Sequence, residues 1–492
     1  MALAFLVAGG PAAAQTINLA NDLKSEADAI KESVGRRARP AFDPIGLRLG
    51  QALQFPLDLI MGREDSLGEA SGDGLVRLKS PSDDPGLQPI EEEEEEGGVR
   101  GFFRRFDISQ MRLEDSWLDQ FTLKPSLDIG TDLDTNIFRD PERDSAGAAG
   151  RTDSDLITVF KPGLTLESDW EQHKLTIAAS TDIGRHADFT KEDYADYTVS
   201  IAPRIEVDED TFLDLSAQYT RNHVSRGAID QAFQGVDPSV QTSWDLQALW
   251  NFQSDPLSVR YTYTFDFTNF RDVDQIDNDF LDRYDHDHVL RLGYQFQPGT
   301  VAWIAPAYSQ REFRRSADSQ GLNRENIGRR ILGGLTYNVS AVTFAEIGAG
   351  YFWREFTDTA IDNVNGFSYD ARVVWNPTPT NTFDLTFSRD FSDQNVVGGS
   401  GSESTSISLT AEWDPLPNLI VSSTLSFEDV DFASAEGISR EDDIVDFALS
   451  VRYLLSSNIF IEGRYQRLIT SSSSRDNSFE ADVFGINLGF QL

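Results

Sequence analysis

The sequence contains no cysteine, which excludes disulfides and thiol chemistry. Methionine (3) and histidine (5) are scarce. Past the N-terminus no stretch reaches the roughly 18 to 20 apolar residues that a membrane helix needs. A membrane protein with this sequence must therefore be a closed β-barrel, because unpaired strand edges cannot be satisfied in hydrocarbon. Cations are in the minority: 42 Lys and Arg stand against 81 Asp and Glu in 492 residues, a net charge of −39. That balance argues against binding nucleic acid or anionic headgroups through overall charge. No Cys/His metal spacing, phosphate-binding glycine loop or Rossmann fingerprint is present. His173, His186, His223, His286 and His288 all fall at predicted turns or strand ends, and none is spaced with Ser and Asp as a triad would be. The expectation is a non-enzymatic protein with no cofactor and no metal.

What is there is a two-faced pattern. In Leu257–Phe270, Leu257, Val259, Tyr261, Tyr263, Phe265 and Phe267 fall on one side. Ser258, Arg260, Thr262, Thr264, Asp266 and Thr268 fall on the other. Strand side chains alternate faces, so this is an apolar ribbon backed by a polar one. It suits a strand with lipid outside and water inside, or equally a soluble sandwich strand facing the other way.

The N-terminus, MALAFLVAGGPAAAQ, reads as the end of a secretory signal cleaved after Ala14, so residues 1–14 are a signal-peptide remnant. Residues 15–116 read as a periplasmic extension. Asn18–Gly35 has helical spacing, and Glu91–Glu96 is a run of like charge typical of a solvated linker. From Trp117 to Leu492 the period is two.

Eighteen candidate strands follow, among them 121–137, 301–313, 382–392 and 480–492; 16 remain possible if 301–313 or 382–392 pair differently. The gaps between strands alternate in length. Short ones carry turn chemistry, as at Asp208-Glu209-Asp210, Gln297-Pro298-Gly299-Thr300 and Asp414-Pro415-Leu416-Pro417. Between them lie longer gaps such as Ser225–Ser239, Arg271–Arg283, Arg314–Asn326 and Asp431–Asp442. This alternation separates a barrel from a sandwich. The fold class expected is all-β: a transmembrane antiparallel up-and-down β-barrel of about 18 strands in the outer membrane, with both termini periplasmic. Trp375, Trp413, Tyr453 and Phe296 at strand ends would form interfacial girdles.

Several stretches resemble a known family. They are Leu166-Glu167-Ser168-Asp169-Trp170, Ile183 through Tyr194, Asp134-Thr135-Asn136-Ile137-Phe138, Trp375-Asn376-Pro377-Thr378-Pro379, and Arg39 through Gly46. The sequence is similar there to the second family of proteobacterial β-barrel porins, often called outer membrane β-barrel proteins. The resemblance implies a Gram-negative outer-membrane barrel that serves export or surface attachment of exopolysaccharide. The partners it implies are outer-membrane lipid, lipopolysaccharide, polysaccharide and a periplasmic export complex. The alternatives are a general diffusion porin for small hydrophilic solutes and a structural or adhesive barrel with a filled lumen.

The residues expected to line the pore are the inward-phase arginines Arg204, Arg260, Arg291, Arg372, Arg452 and Arg464 and the acids Asp266, Glu412, Glu428 and Glu462. A lumen carrying both signs selects by charge and size, or simply holds paired ions. Phe344, Phe352 and Phe460 share the inward phase and could offer faces on which sugar rings slide. The acids Asp272, Asp274, Asp277, Asp279 and Asp282 mark a solvated loop without the glycine and final glutamate of a calcium loop.

Overall fold

A computed structural model describes residues 120–141, 153–228, 237–273, 277–318, 321–392, 399–434 and 440–491. The expectations for residues 1–116, and for Leu492 as the terminal strand residue, lie outside the described residues.

The described chain is a closed sheet of eighteen antiparallel strands, each paired with its neighbours in sequence. The first six are β1 (Phe121–Asp134), β2 (Asp155–Ser168), β3 (His173–His186), β4 (Tyr194–Asp208), β5 (Thr211–His223) and β6 (Val240–Ser254). The next six are β7 (Leu257–Phe270), β8 (Arg283–Gln297), β9 (Thr300–Phe313), β10 (Asn326–Ser340), β11 (Thr343–Phe356) and β12 (Val364–Thr378). The last six are β13 (Asn381–Ser392), β14 (Gly399–Leu416), β15 (Leu419–Ser434), β16 (Arg440–Leu454), β17 (Ile459–Ser472) and β18 (Phe479–Gln491). The barrel closes where β1 pairs with β18, from Ser126↔Gln491 to Asp134↔Val483. Closure removes the strand edges that a membrane cannot tolerate. The segments at 301–313 and 382–392 are β9 and β13, each paired antiparallel with its neighbours in sequence.

The wall is apolar outside. Phe367 is 71% exposed, Ile347 60% and Ile486 59%, the reverse of a soluble core. The outward aromatics Trp375, Trp413, Tyr453 and Phe296 are all exposed near one rim. That rim carries the short hairpins, such as Asp208–Thr211, where Asp208 Oδ1 accepts the Asp210 amide at 3.0 Å. Gly299 supplies the positive φ (74°) of the β8–β9 turn. The opposite rim carries the longer connections. With an even strand number, β1 begins and β18 ends at the short-turn rim.

Several boundaries differ from the sequence reading. β1 stops at Asp134 rather than at residue 137, because the Asn136 amide bonds back to Asp134 Oδ1 (2.9 Å) and Arg139 follows at φ 56°. The gap expected at Asp431–Asp442 is mostly strand: β15 and β16 pair out to Phe432↔Arg440.

Candidate functional site: the lumen

The polar face is concave. Arg291 on β8 reaches Glu346 on β11 with bonds of 3.0 and 2.8 Å, passing over β9 and β10. Arg330 on β10 likewise pairs with Asp390 on β13. Side chains on the outside of a cylinder diverge, so bridges across three strands form only on its inside.

The expected inward arginines all lie on this face, and each has a partner. Arg204 meets Asp214 in two bonds of 2.7 and 2.9 Å. Arg452 donates Nε to Glu462 at 2.7 Å. Arg372 pairs with Asp384, and Arg464 crosses the closure to Asp132. Arg260 donates to Asn251 Oδ1 at 3.1 Å. Among the acids, Glu462 and Asp266 are buried, Asp266 facing Asp245 directly across β6 and β7. Glu428 Oε1 is buried without a hydrogen-bond partner. Glu412 sits between Thr382 and Ser422 on the neighbouring strands.

A repeated device holds the arginines near the short-turn rim. The Arg204 guanidinium lies 4.2 Å over the Phe212 ring, Arg452 lies 4.4 Å over Phe460, and Arg291 lies 4.4 Å over Trp303. Each aromatic supports the flat cation while a carboxylate takes its N–H groups. The inward rings are therefore covered. Phe344 is 1% exposed, and Phe352 and Phe460 are each 4% exposed. This corrects the expectation of free aromatic faces for sugar stacking: packing against the wall and under the arginines uses them up.

Sequence reasoning missed Trp303, Arg330, Arg354 and Asp390, which crowd the wall from β9 to β13. The signal was the glycines in the inward phase. A Cβ on Gly334 or Gly348 would collide with the Trp303 ring, so glycine there makes a bed for an inward indole. By contrast, β13 to β15 present a hydroxyl panel. Ser388 and Ser406 are 2.8 Å apart, Thr410 and Thr424 are 3.1 Å apart, and Ser404, Ser408, Ser422 and Ser426 share their face.

Outside the lumen, Asp272, Asp277 and Asp279 lie close enough together to share a cation, but Arg315 already bonds Asp277 (2.7 Å) and Asp279 (2.5 Å). That guanidinium holds the Asp277 carboxyl below its usual range. Asp282 is not solvated. It is fully buried, accepts the Phe270 amide at 2.9 Å, and has its pKa raised by burial. Asp274 lies outside the described residues. A second carboxylate group, Asp429, Asp431 and Glu441, lies on the outer wall. His286 and His288 are not at a strand end. They sit within β8 facing outward, with Nδ1 bonded to the hydroxyls of Tyr263 (2.9 Å) and Tyr261 (2.7 Å). The alternation that placed tyrosine on the outer face of β7 places their partners there too.

The family described as "Putative beta-barrel porin 2" matches residues 118–492. No curated protein sequence matches the chain. Among solved structures, the chain is similar to the siderophore receptor PirA of Pseudomonas aeruginosa at 10% identity, covering 75% of this chain and 80% of that one, TM-score 0.40. It is similar to the ferric enterobactin receptor PfeA of that organism in complex with BCV-L6, at 6% identity, covering 75% and 81%, TM-score 0.44. It is also similar to Pseudomonas aeruginosa OpdO, at 12% identity, covering 76% and 97%, TM-score 0.40. At these scores the similarities carry no argument about function.

Proposed function

The chain belongs to the Putative beta-barrel porin 2 family and is an outer-membrane, porin-like β-barrel; from that premise we propose that its lumen passes neutral, hydroxyl-rich solutes of the carbohydrate class. Barrels of 16 to 18 strands leave an aqueous channel. Among the described residues every strand pairs only with its neighbours in the wall, and none crosses the lumen. The observation that carries the reading is the contrast within the lining. Its inward arginines are held by partners, carboxylates for most and Asn251 for Arg260, while β13 to β15 offer hydroxyls that donate and accept like those of a sugar. Inward acids also face one another, as Asp245 opposite Asp266, and Glu428 Oε1 is buried without a hydrogen-bond partner, so the charge preference of the passage is for cations. We further take the short-turn rim, with both chain ends, as periplasmic and the long connections as external.

Export or surface attachment of exopolysaccharide is the narrower reading. The sequence resemblance and the hydroxyl panel favour it; the covered rings of Phe344, Phe352 and Phe460 give it no stacking platform. A periplasmic export complex acting through residues 15–116 belongs to the same reading.

Liposome swelling tests the broader claim. Neutral mono- and oligosaccharides should enter at rates set by size, and salt gradients should give reversal potentials of the cation-selective sign. Anion selectivity, or exclusion of neutral sugars, contradicts it. Deleting the gene and scoring surface polysaccharide tests the narrower claim, which an unchanged coat contradicts.

A further inference from the structure

The inward charges of the wall are sorted by height. The six inward arginines expected from the sequence lie two to six residues from the short-turn ends of their strands. Above them runs an acidic belt. Asp128, Asp245, Asp266, Asp370, Glu428 and Asp446, all in the inward phase, stand seven to nine residues from those ends. Asp182 and Asp390 share the level, and Lys161 and Arg330 pair with them. Among the described residues the other six carboxylates have no Lys or Arg nitrogen within 4.0 Å. The unpartnered buried oxygens of the lumen gather here too: Asp128 Oδ1, Asp266 Oδ1, Asp370 Oδ1 and Glu428 Oε1 accept no hydrogen bond.

Within the belt, Asp245 and Asp266 stand directly opposite each other on neighbouring strands. Like charges so placed repel. The cations nearest along the row are engaged elsewhere: Asp285, opposite Asp266 on β8, holds Arg283 and Arg311. Asp266 is 8% exposed, so its free oxygen has no bulk water to fall back on. Thr264, the next inward residue on β7, is 6% exposed and its Oγ1 also lacks a partner. Asp245 is half-buried and keeps a way in from the lumen. Its carboxyl lies within hydrogen-bonding reach of Asp266, and Ser243 donates to its Oδ2 at 3.0 Å. Gln218 on β5, opposite Asp245, brings an amide to the same row.

The ligand that fits follows from these groups. The donors are all oxygens, and two carboxylates balance the charge of one divalent ion. Calcium takes about six to eight oxygens in irregular geometry, whereas magnesium demands a near-ideal octahedron. Lumen water can complete a calcium shell on the exposed side of Asp245. Rings of acids in cation channels work in the same way, by offering carboxylate oxygen where the ion must pass. We propose that the Asp245–Asp266 pair binds a divalent cation of the calcium class, and that the bound ion holds back other cations in the passage. The inference rests on the reading of the lumen as a cation-preferring passage, to which it adds a site and an ion.

The test pairs calorimetric titration of the full-length barrel in detergent with calcium chloride and potassium-current recordings in planar bilayers. Calcium should bind with a heat that Asp245→Asn/Asp266→Asn removes, and should reduce the potassium current saturably. The double variant should need about tenfold or more calcium for the same block, because affinity at such sites follows the charge of the ligands. Asp429→Asn, on the outer wall, should leave the block unchanged. Heat-modifiable gel mobility of each variant confirms the folded barrel. Binding and block that survive the double substitution overturn the site, as does a block that Asp429→Asn relieves. Wild-type protein with no calcium heat from the pair also overturns it, and leaves the two carboxyls sharing a proton only. In each of these cases cation-selective wild-type current leaves the passage reading intact. Absent or anion-selective current contradicts that reading instead, and calcium heat that depends on the pair would still support the site.

Discussion

Arg204 and Asp214 face each other across the β4–β5 hairpin, joined by two hydrogen bonds of 2.7 and 2.9 Å on the concave wall. Both are buried, so neither charge has water to fall back on. Asp214→Asn leaves the guanidinium unbalanced. Breaking one side of such a pair costs about 3–5 kcal/mol. Urea unfolding in detergent should show a lowered midpoint, and bilayer recordings should show a shift toward anion permeability. The double variant Arg204→Met/Asp214→Leu removes both charges, so it should recover part of the stability and abolish the shift toward anions.

Trp303 lies on Gly334 and Gly348, and Arg291 lies on Trp303. Gly348→Val pushes the indole into the lumen together with the Arg291–Glu346 pair it supports. Overpacking of this kind costs about 1–3 kcal/mol. The same variant should narrow the passage, read as lower single-channel conductance. Gly463, where a Cβ would meet no heavy atom within 4 Å, should accept alanine with little change in either measurement.

The outer belt should reject charge according to depth. Ile347, 60% exposed between two apolar neighbours on its face of β11, tests this. Ile347→Arg should destabilise the barrel in bilayers by about 2–4 kcal/mol if the site is near the midplane. In a soluble protein an exposed isoleucine would tolerate the change. Equilibrium refolding into lipid vesicles measures the difference.

The loops answer to pH. Asp358 accepts the Ala360 amide at 2.9 Å and the Asn323 amide at 3.1 Å, so it ties the β11–β12 connection to the β9–β10 connection. These two backbone bonds, the Ala360 one foremost, hold its carboxyl below the usual range. A depressed folded pKa means the tie is fully present above the unfolded pKa and is lost as pH falls through the folded value. Hydrogen exchange at the Asn323 and Ala360 amides should therefore quicken only in acid. Asp358→Asn should remove that pH dependence.

Most of the barrel was legible because period two is a strict geometric signal. One slipped residue would have put Val259 and Phe265 in the lumen and Arg260 and Asp266 in the lipid. Gap lengths added the topology. The inward arginines followed from phase alone, since a strand fixes which side a residue takes. Their partners did not: Glu346 lies 55 residues from Arg291, and only curvature brings them together. Phase also says nothing about coverage, which is why Phe460 was read as a free face when Arg452 lies over it. The burial of Phe391 against Phe352 was invisible for a further reason. Phe391 obeys the outward alternation in sequence and breaks it in space.

The absence of cysteine makes one measurement unusually clean. Single cysteines placed in turn from Val421 to Glu428 on β15, spin-labelled and inserted in bilayers, can be scanned for collisions with oxygen and with a water-soluble nickel chelate. Oxygen should dominate at Val421, Ser423, Leu425 and Phe427, and the chelate at Ser422, Thr424, Ser426 and Glu428, with a period of two. A flat profile, or the opposite phase, would contradict a barrel that turns its apolar face to lipid and its polar face to enclosed water.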